Sequence, residues 1–238
     1  MRFKKSTQEL QKENFIQNLS SDCVIFGFNG KQLKILILEY HNTGFFALPG
    51  GFINRNESLD DAVKKGVKNR TGLDDIYLEQ FQTFGSLTLS DPDAMKRIFK
   101  ENDMDREIPD WLLDRFISIS YYALINYDKV TPTPVVLSDT IEWYSIDELP
   151  VLMMDHRKIV AKALQVLQDN LEKKLVGMNL LPSKFTMKQL QMVYEVILGE
   201  ELRRTTFQRR ILGMNILDRH EKLFQGKAHK APYLYSFK

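Results

Sequence analysis

Apolar residues in the first part of the chain are grouped in short runs that predict β-strands. The runs 24–28 and 33–38 are rich in Val, Ile, Leu and Phe, and the Asn29-Gly30 pair between them is typical of a β-hairpin turn. A third short run, 45–48, leads into Pro49-Gly50-Gly51. Longer strand-like runs follow at 76–89, 116–125 and 141–144.

Two stretches between these runs have helical periodicity. Leu59, Val63 and Val67 recur four residues apart and predict one apolar helix face, and Gly72 is placed to end that helix. A second helix is predicted over about 155–175, with an N-terminal cap at its first residue. Strands around one helix, closed by another, indicate a layered α+β domain.

The C-terminal part predicts two more helices and a basic ribbon. Thr186 can cap the first helix, which ends at Gly199. The second helix follows Arg203 and ends at Gly213, and 215–238 contains a terminal strand. Two helices joined by a short turn and followed by a β-ribbon form the outline of a winged helix-turn-helix.

Charge is unevenly distributed along the 238 residues. Residues 183–238 hold 11 Lys and Arg against 5 Asp and Glu, a net charge of +6, although the whole chain is only +2. A solvated basic helix could give this pattern, but the charges coincide with the predicted helix-turn-helix, which favours double-stranded operator DNA as a partner. Arg suits guanine and Gln suits adenine in the major groove. The candidate DNA-binding residues are Arg203, Arg204, Thr205, Thr206, Gln208, Arg209, Arg210, Lys227, His229 and Lys230.

Composition excludes several other classes of protein. The single cysteine, Cys23, rules out an internal disulfide and a cysteine-rich zinc site, and its apolar neighbours predict burial. No apolar run approaches the length of a membrane span, and residues 1–13 lack the apolar segment of a signal peptide. We therefore expect a cytoplasmic protein.

The stretch from Gly50 to Leu73 resembles the Nudix box, G-x5-E-x7-R-E-U-x-E-E-x-G-U, where U is aliphatic. Nudix hydrolases use the carboxylates of this box to hold divalent metal ions against a diphosphate. Positions of the box that this chain keeps are Gly51, Glu57, Val67, Gly72 and Leu73.

The chemical positions of the box differ. The resemblance places metal-binding glutamates at Gly66, Asn69 and Arg70, and an arginine at Lys65. One carboxylate, Glu57, does not form a metal cage, so the sequence predicts no metal, no cofactor, no catalytic residues and no enzyme activity. The alternative is a metal-dependent Nudix pyrophosphohydrolase acting on ADP-ribose or a nucleotide sugar.

Beyond the box, the chain resembles the Nudix-related transcriptional regulators, with most similarity to the sugar-responsive arabinose and xylose type of Bacteroides-like bacteria. Matching segments are 118–124, Asp155-His156, 180–186, Leu190-Gln191 and Tyr194-Glu195. The resemblance implies a Nudix-like α/β/α sandwich followed by a winged helix-turn-helix, in a homodimer that responds to a small molecule. The insert at 93–114 is longer than the loop expected in these regulators.

This resemblance divides the chain into a solvated arm at 1–20, a Nudix-like effector-binding domain at 21–175 and a DNA-binding domain at 176–238. A short helix through Leu10, Phe15 and Ile16 is expected in the arm. The effector is expected to be a sugar or an ADP-ribose-like metabolite held between the box helix and the central strands. Candidate effector-binding residues are Glu39, Tyr40, Phe46, Arg115, Ser118 and Tyr122.

Overall fold

A computed structural model describes most of the chain. The described residues are 12–74, 76–87, 90–104, 108–126, 130–134, 138–171, 173, 180–223 and 231–238. The helices are α1 Leu59–Thr71, α2 Pro92–Glu101, α3 His156–Asn170, α4 Met187–Leu198 and α5 Arg204–Gly213. The strands are β1 Phe15–Phe28, β2 Leu33–Tyr40, β3 Phe45–Ala47, β4 Gly50–Asn54, β5 Tyr77–Phe84, β6 Ile117–Asn126, β7 Ser138–Ser145, β8 Phe185–Thr186, β9 Leu217–Lys222 and β10 Tyr233–Phe237.

Seven strands form a mixed sheet with β1 at its centre. The order of the main path is β3-β2-β1-β6-β5, with β4 paired to β1 and β7 paired to β2. The predicted hairpin is present, since β1 and β2 are antiparallel across the turn at Asn29-Gly30. By contrast, β1 and β6 run parallel over ten residue pairs, from Leu19 opposite Ile117 to Phe28 opposite Asn126.

Helices cover both faces of this sheet. On one face, Val63 and Val67 of α1 pack with buried residues of β1 and β6, including Cys23. On the other face, Ile159 and Ala163 of α3 pack against the alternate residues of the same strands. Successive side chains of a strand point to opposite faces, so β1 contributes to both layers of the core. The predicted α+β class is therefore correct.

Two helices begin and end as the sequence signals predict, but Asp155, the predicted N-terminal cap of α3, makes no side-chain capping hydrogen bond. Ser58 caps α1 through its side chain, and Gly72 ends that helix at a φ of 74°. Thr186 and Gln189 form a capping box at the start of α4, and Gly199 ends it at a φ of 72°. Left-handed backbone of this kind strains any residue with a β-carbon, which explains glycine at both positions.

Residues 185–237 form a second, three-stranded sheet in the order β8-β10-β9, with α4 and α5 packed beside it. One cluster of buried side chains continues from the α3 face of the large sheet into this part. Two hydrogen bonds reinforce the junction. Gln168 Nε2 donates to Ile197 O over 2.9 Å, and Tyr194 Oη donates to Leu171 O over 3.5 Å.

Three boundaries differ from the sequence predictions. Phe15 and Ile16 lie in β1 rather than in a helix of the arm, because β1 extends back to pair with β4. The strand expected over 76–89 ends at Phe84. Helix α3 ends at Asn170, earlier than the predicted 175, and residues 174–179 lie outside the described residues.

The described residues of the 93–114 insert pack into an aromatic cluster. Asp91 caps α2 through its side chain, and Phe99 on that helix is fully buried. The Trp111 ring lies 4.9 Å from the Phe52 ring, centroid to centroid, in an edge-to-face arrangement. The insert therefore anchors the strand that carries the glycine pair of the box.

Candidate functional sites

The helix α5 presents most of its polar side chains to solvent. Phe207 and Ile211 are 4% and 0% exposed and fix the inner side of the helix. The predicted residues Arg203, Arg204, Thr205, Thr206, Arg209 and Arg210 are exposed, and Gln208 is half-buried. This is the arrangement that a recognition helix needs, with an apolar side held by α4 and a basic side exposed to solvent.

The turn before α5 is fixed by side chains of α4. Gln191 Nε2 donates to Leu202 O over 2.9 Å and to Glu195 Oε1 over 2.8 Å. The same Glu195 carboxylate accepts the Leu202 N–H over 3.0 Å. Tyr194 and Phe207 pack edge to face with ring centroids 5.1 Å apart. These contacts set the angle between the two helices.

The ribbon β9–β10 carries Lys222, an expected phosphate contact, and Arg219, which the sequence analysis did not select. Arg219 lies over the Tyr233 ring at 4.1 Å, and Lys222 approaches the same ring at 5.2 Å. A cation above an aromatic face stays charged while its rotamer is restricted. A count of charges does not reveal this stacking, since it depends on the register of the two strands. The predicted wing residues Lys227, His229 and Lys230 lie outside the described residues.

The retained acid of the Nudix-like box stabilises a loop. Asn54 donates to Glu57 Oε1 through its backbone N–H, over 2.9 Å, and through its side-chain amide. Lys65 Nζ lies 3.5 Å from Glu57 Oε2. Partial burial opposes ionisation of this carboxyl, but the donors of Asn54 and Lys65 outweigh it and hold the pKa of Glu57 below its usual value.

The lost acids leave a box that does not suit a divalent cation. Gly66 and Asn69 have no charge, and Arg70 places a guanidinium on the inner side of α1, where it is 9% exposed. Arg70 Nη2 donates to Gly50 O over 3.1 Å, and burial lowers the pKa of the guanidinium. Within the described residues, no group of three His, Cys, Asp or Glu could hold a metal ion. The residues here therefore do not fit the metal site of a Nudix hydrolase.

A cavity of about 30 Å³ lies beside the box. It is bounded by Ser21 and Cys23 of β1, by the 49–52 segment, and by the inner side of α1. Gly66 faces this cavity, and a β-carbon added there would meet no heavy atom within 4 Å. The loss of the glutamate at this position therefore leaves open space.

Gly50 is placed where no side chain fits. A β-carbon at Gly50 would lie 2.6 Å from Asp22 Oδ1 and 2.6 Å from Ser21 O, whereas one at Gly51 would meet nothing within 4 Å. We expect Gly50→Ala to lower the free energy of unfolding by about 1–3 kcal/mol, because the backbone of β1 must move. Gly51→Ala is the matched control, with an expected change within about 0.5 kcal/mol. Urea denaturation compares the two, and equal midpoints would contradict the close approach.

The six predicted effector-binding residues do not line one cavity. Glu39 lies opposite Phe46, and Tyr40 opposite Phe45. Because Glu39 and Tyr40 are consecutive in β2, their side chains point to different faces of the sheet. Tyr122 is fully buried and donates to Glu79 over 2.8 Å. The remaining three are also dispersed: Phe46 packs on Tyr144, Arg115 is exposed, and Ser118 is buried. The structure therefore does not bring these six residues together, and their role in effector binding remains a prediction.

Sequence reasoning selected Ser118 but missed the polar cluster near the box to which it belongs. Ser118 Oγ donates to Asp22, and His156 Nε2 lies 3.7 Å from Asp22 Oδ1. His156 Nδ1 accepts the Leu48 N–H over 3.0 Å, which places the ring proton of the neutral form on Nε2. The members come from β1, β6 and α3, far apart in sequence, so no local motif could have indicated them. The cluster ties the start of α3 to the strand beside the cavity.

Known proteins resemble this chain along most of its length. Residues 177–237 match the family described as the NrtR DNA-binding winged helix domain. A curated relative from Acinetobacter baylyi, named "ADPR responsive transcriptional repressor NtrR", is 26% identical over 218 residues, which are 88% of this chain and 78% of the relative. Its name gives no support to the predicted closeness to sugar-responsive regulators.

Solved structures of two other proteins are also similar to this chain. Shewanella oneidensis NrtR superposes with a TM-score of 0.70 at 26% identity, covering 93% of this chain and 94% of that one. The same protein has been solved with a 27mer DNA, with equal similarity. A MutT/nudix family protein from Enterococcus faecalis has a TM-score of 0.67 at 20% identity, covering all of this chain and 92% of that one, and shares the fold. None of the helices in the described part of this chain has the length and apolarity that a membrane crossing needs. The family match and the superposition on Shewanella oneidensis NrtR show that the chain has an NrtR-like architecture, in which a Nudix-like domain precedes a winged helix DNA-binding domain.

Proposed function

We propose that this protein is a ligand-responsive transcriptional repressor that binds operator DNA through α5. The observation that carries the proposal is the exposed basic side of α5, opposite a buried apolar side. Hydrogen bonds from Gln191 and Glu195 to Leu202 fix the angle between α4 and α5. A helix in this position reads bases from its N-terminal half. We assign Thr206, Gln208, Arg209 and Arg210 to base edges, and Arg203 and Arg204 to phosphates. Thr205, Lys227, His229 and Lys230 complete the proposed DNA-binding set.

We assign the effector site to the Nudix-like part, and ADP-ribose to that site. The name of the Acinetobacter baylyi relative supports this ligand over a pentose sugar. The domain limits 21–175 and 176–238 remain our proposal, with a homodimer as the binding unit. Hydrolysis is not proposed, since Gly66, Asn69 and Arg70 cannot supply the carboxylates that hold catalytic metal.

The signal is proposed to pass through α3. This helix packs on the large sheet through Ile159 and Ala163, and its last turn bonds to α4 through Gln168. Asn170 Nδ2 also donates to Glu79 Oε1 over 3.4 Å, which joins the end of α3 to β5. A ligand that favours one position of α3 changes the spacing of two recognition helices in a dimer, and so the fit to two half-sites.

The decisive experiment combines operator binding with a hydrolysis assay. The full chain is titrated against a labelled duplex from its own upstream region, alone and with ADP-ribose, arabinose or xylose. We expect a complex that only ADP-ribose dissociates, and no release of AMP from ADP-ribose in Mg²⁺. Mg²⁺-dependent turnover that is lost on Glu57→Gln would favour the hydrolase, and release by a pentose would favour a sugar-responsive regulator.

A further inference from the structure

The inner side of α1 holds a cation that forms no ion pair with any described residue. Arg70 is 9% exposed, and its Nε has no hydrogen-bond partner. Among the described residues, no Asp or Glu oxygen lies within 4.0 Å of its guanidinium. Asp22 lies nearby, since burial raises the pKa of the Cys23 thiol, the charge of Asp22 raises it further and that of Arg70 lowers it. A buried guanidinium with an unused donor and no counter-charge is costly, unless a ligand completes it.

The cavity beside the box adjoins this cation. Gly50, whose carbonyl oxygen accepts from Arg70 Nη2, also lines the cavity. Val63, Gly66 and Val67 line it too, and Arg70 follows on the same side of α1, one turn further on. Relative to the Nudix box, the cavity therefore lacks a side chain at Gly66, and a fixed positive charge lies one turn further along α1, bonded to the Gly50 carbonyl.

We propose that Arg70 is the anion-binding group of this cavity and takes the place of the divalent cation of a Nudix hydrolase. The ligand class is a molecule with a diphosphate group, and its binding requires no metal. A guanidinium offers parallel N–H donors that match phosphate oxygens, and it stays charged at all physiological pH values. Unlike a metal ion, it does not activate water, so a diphosphate ester is held without being cleaved.

This inference rests on the proposed function only in taking ADP-ribose as the complete ligand. The diphosphate itself is tested separately with inorganic pyrophosphate. Calorimetric titrations of the full chain use both probes, in EDTA and in Mg²⁺. The variants are Arg70→Met, which removes the charge, and Arg70→Lys, which keeps the charge but loses the planar donor pair. Lys64→Met, on the exposed side of the same helix, is the matched control.

We expect the wild-type chain to bind ADP-ribose equally well in EDTA and in Mg²⁺. Arg70→Met is expected to weaken both probes at least about tenfold, as loss of a charge-assisted hydrogen bond does, with an intermediate loss in Arg70→Lys and none in Lys64→Met. Operator binding without ligand reports folding, and should be unchanged in every variant.

Each other outcome has a distinct meaning. A requirement for Mg²⁺, or unchanged binding by Arg70→Met, overturns the role of Arg70 and leaves the proposed regulator intact. Binding of pyrophosphate but not of ADP-ribose supports Arg70 and overturns the proposed effector. Binding of neither probe by a chain that still binds its operator overturns both. If Arg70→Met does not fold, Arg70→Lys decides, since unchanged binding of pyrophosphate by that variant contradicts recognition by the planar fork.

Discussion

The double substitution Arg204→Ala/Arg209→Ala is expected to weaken operator binding by about 10²–10³-fold, because each lost contact to a phosphate or base edge costs about 1–3 kcal/mol. Both side chains are exposed on α5, whereas Phe207 and Ile211 form its buried side. The fold should therefore be unaffected. Fluorescence anisotropy with a labelled operator duplex, measured over a range of salt concentrations, provides the affinity and its salt dependence.

The salt dependence separates the two roles. Losing the phosphate contact of Arg204 should lower the slope of log affinity against log salt by about 1. Losing Arg209 should relax the sequence preference, which a scrambled duplex reports. Arg157→Ala removes an exposed positive charge from α3, outside the winged helix, and is expected to leave the affinity unchanged. An equal loss in that control would mean that overall charge, rather than the α5 face, determines binding.

Phe207→Ala is expected to have the largest effect on stability, lowering the free energy of unfolding by about 3–5 kcal/mol. The ring is 4% exposed and packs edge to face on Tyr194, so its removal leaves a cavity between α4 and α5. The affinity for the operator should also fall, because α5 loses the apolar packing that holds it against α4. Leu212→Ala is the control on the same helix, since Leu212 is 51% exposed, and its expected cost is within about 0.5 kcal/mol.

Denaturation by urea, followed by circular dichroism, measures both variants. If Phe207→Ala and Leu212→Ala unfold at the same urea concentration, burial of the Phe207 ring does not stabilise the packing of α5. If Phe207→Ala unfolds early but binds DNA normally at low urea, then the helix finds its orientation on the DNA instead.

Local signals in the sequence predicted the local structure well. Glycines at 72 and 199 end their helices in the left-handed conformation, and Thr186 caps α4, as their neighbours indicated. The apolar phase of α5 was readable in part: Phe207, Ile211 and Leu212 predict one buried side, and the first two are buried, but Leu212 is 51% exposed. All these features depend on contacts within a few residues.

Features that depend on long-range pairing were not readable. The parallel pairing of β1 with β6 joins residues 98 positions apart in the sequence, and it decides which side chains share a face. For this reason the six effector candidates were separated between faces, and the Asp22–Ser118–His156 cluster was missed. The inward position of Arg70 was available from the helical phase of Val63 and Val67, but the absence of an ion pair to it among the described residues depends on the packed structure.

The apolar cluster that crosses from the large sheet into the winged helix restricts how such a chain can be recombined. Leu167 of α3 and Leu190 of α4 are fully buried in that one cluster, and Gln168 joins the two helices. A winged helix grafted onto a different sensor would expose this surface unless it carried α3 as well. The natural unit of exchange therefore begins near Asp155, well before the DNA-binding segment itself, and new specificities in this architecture should arise by substitution on α5 more readily than by shuffling of whole domains.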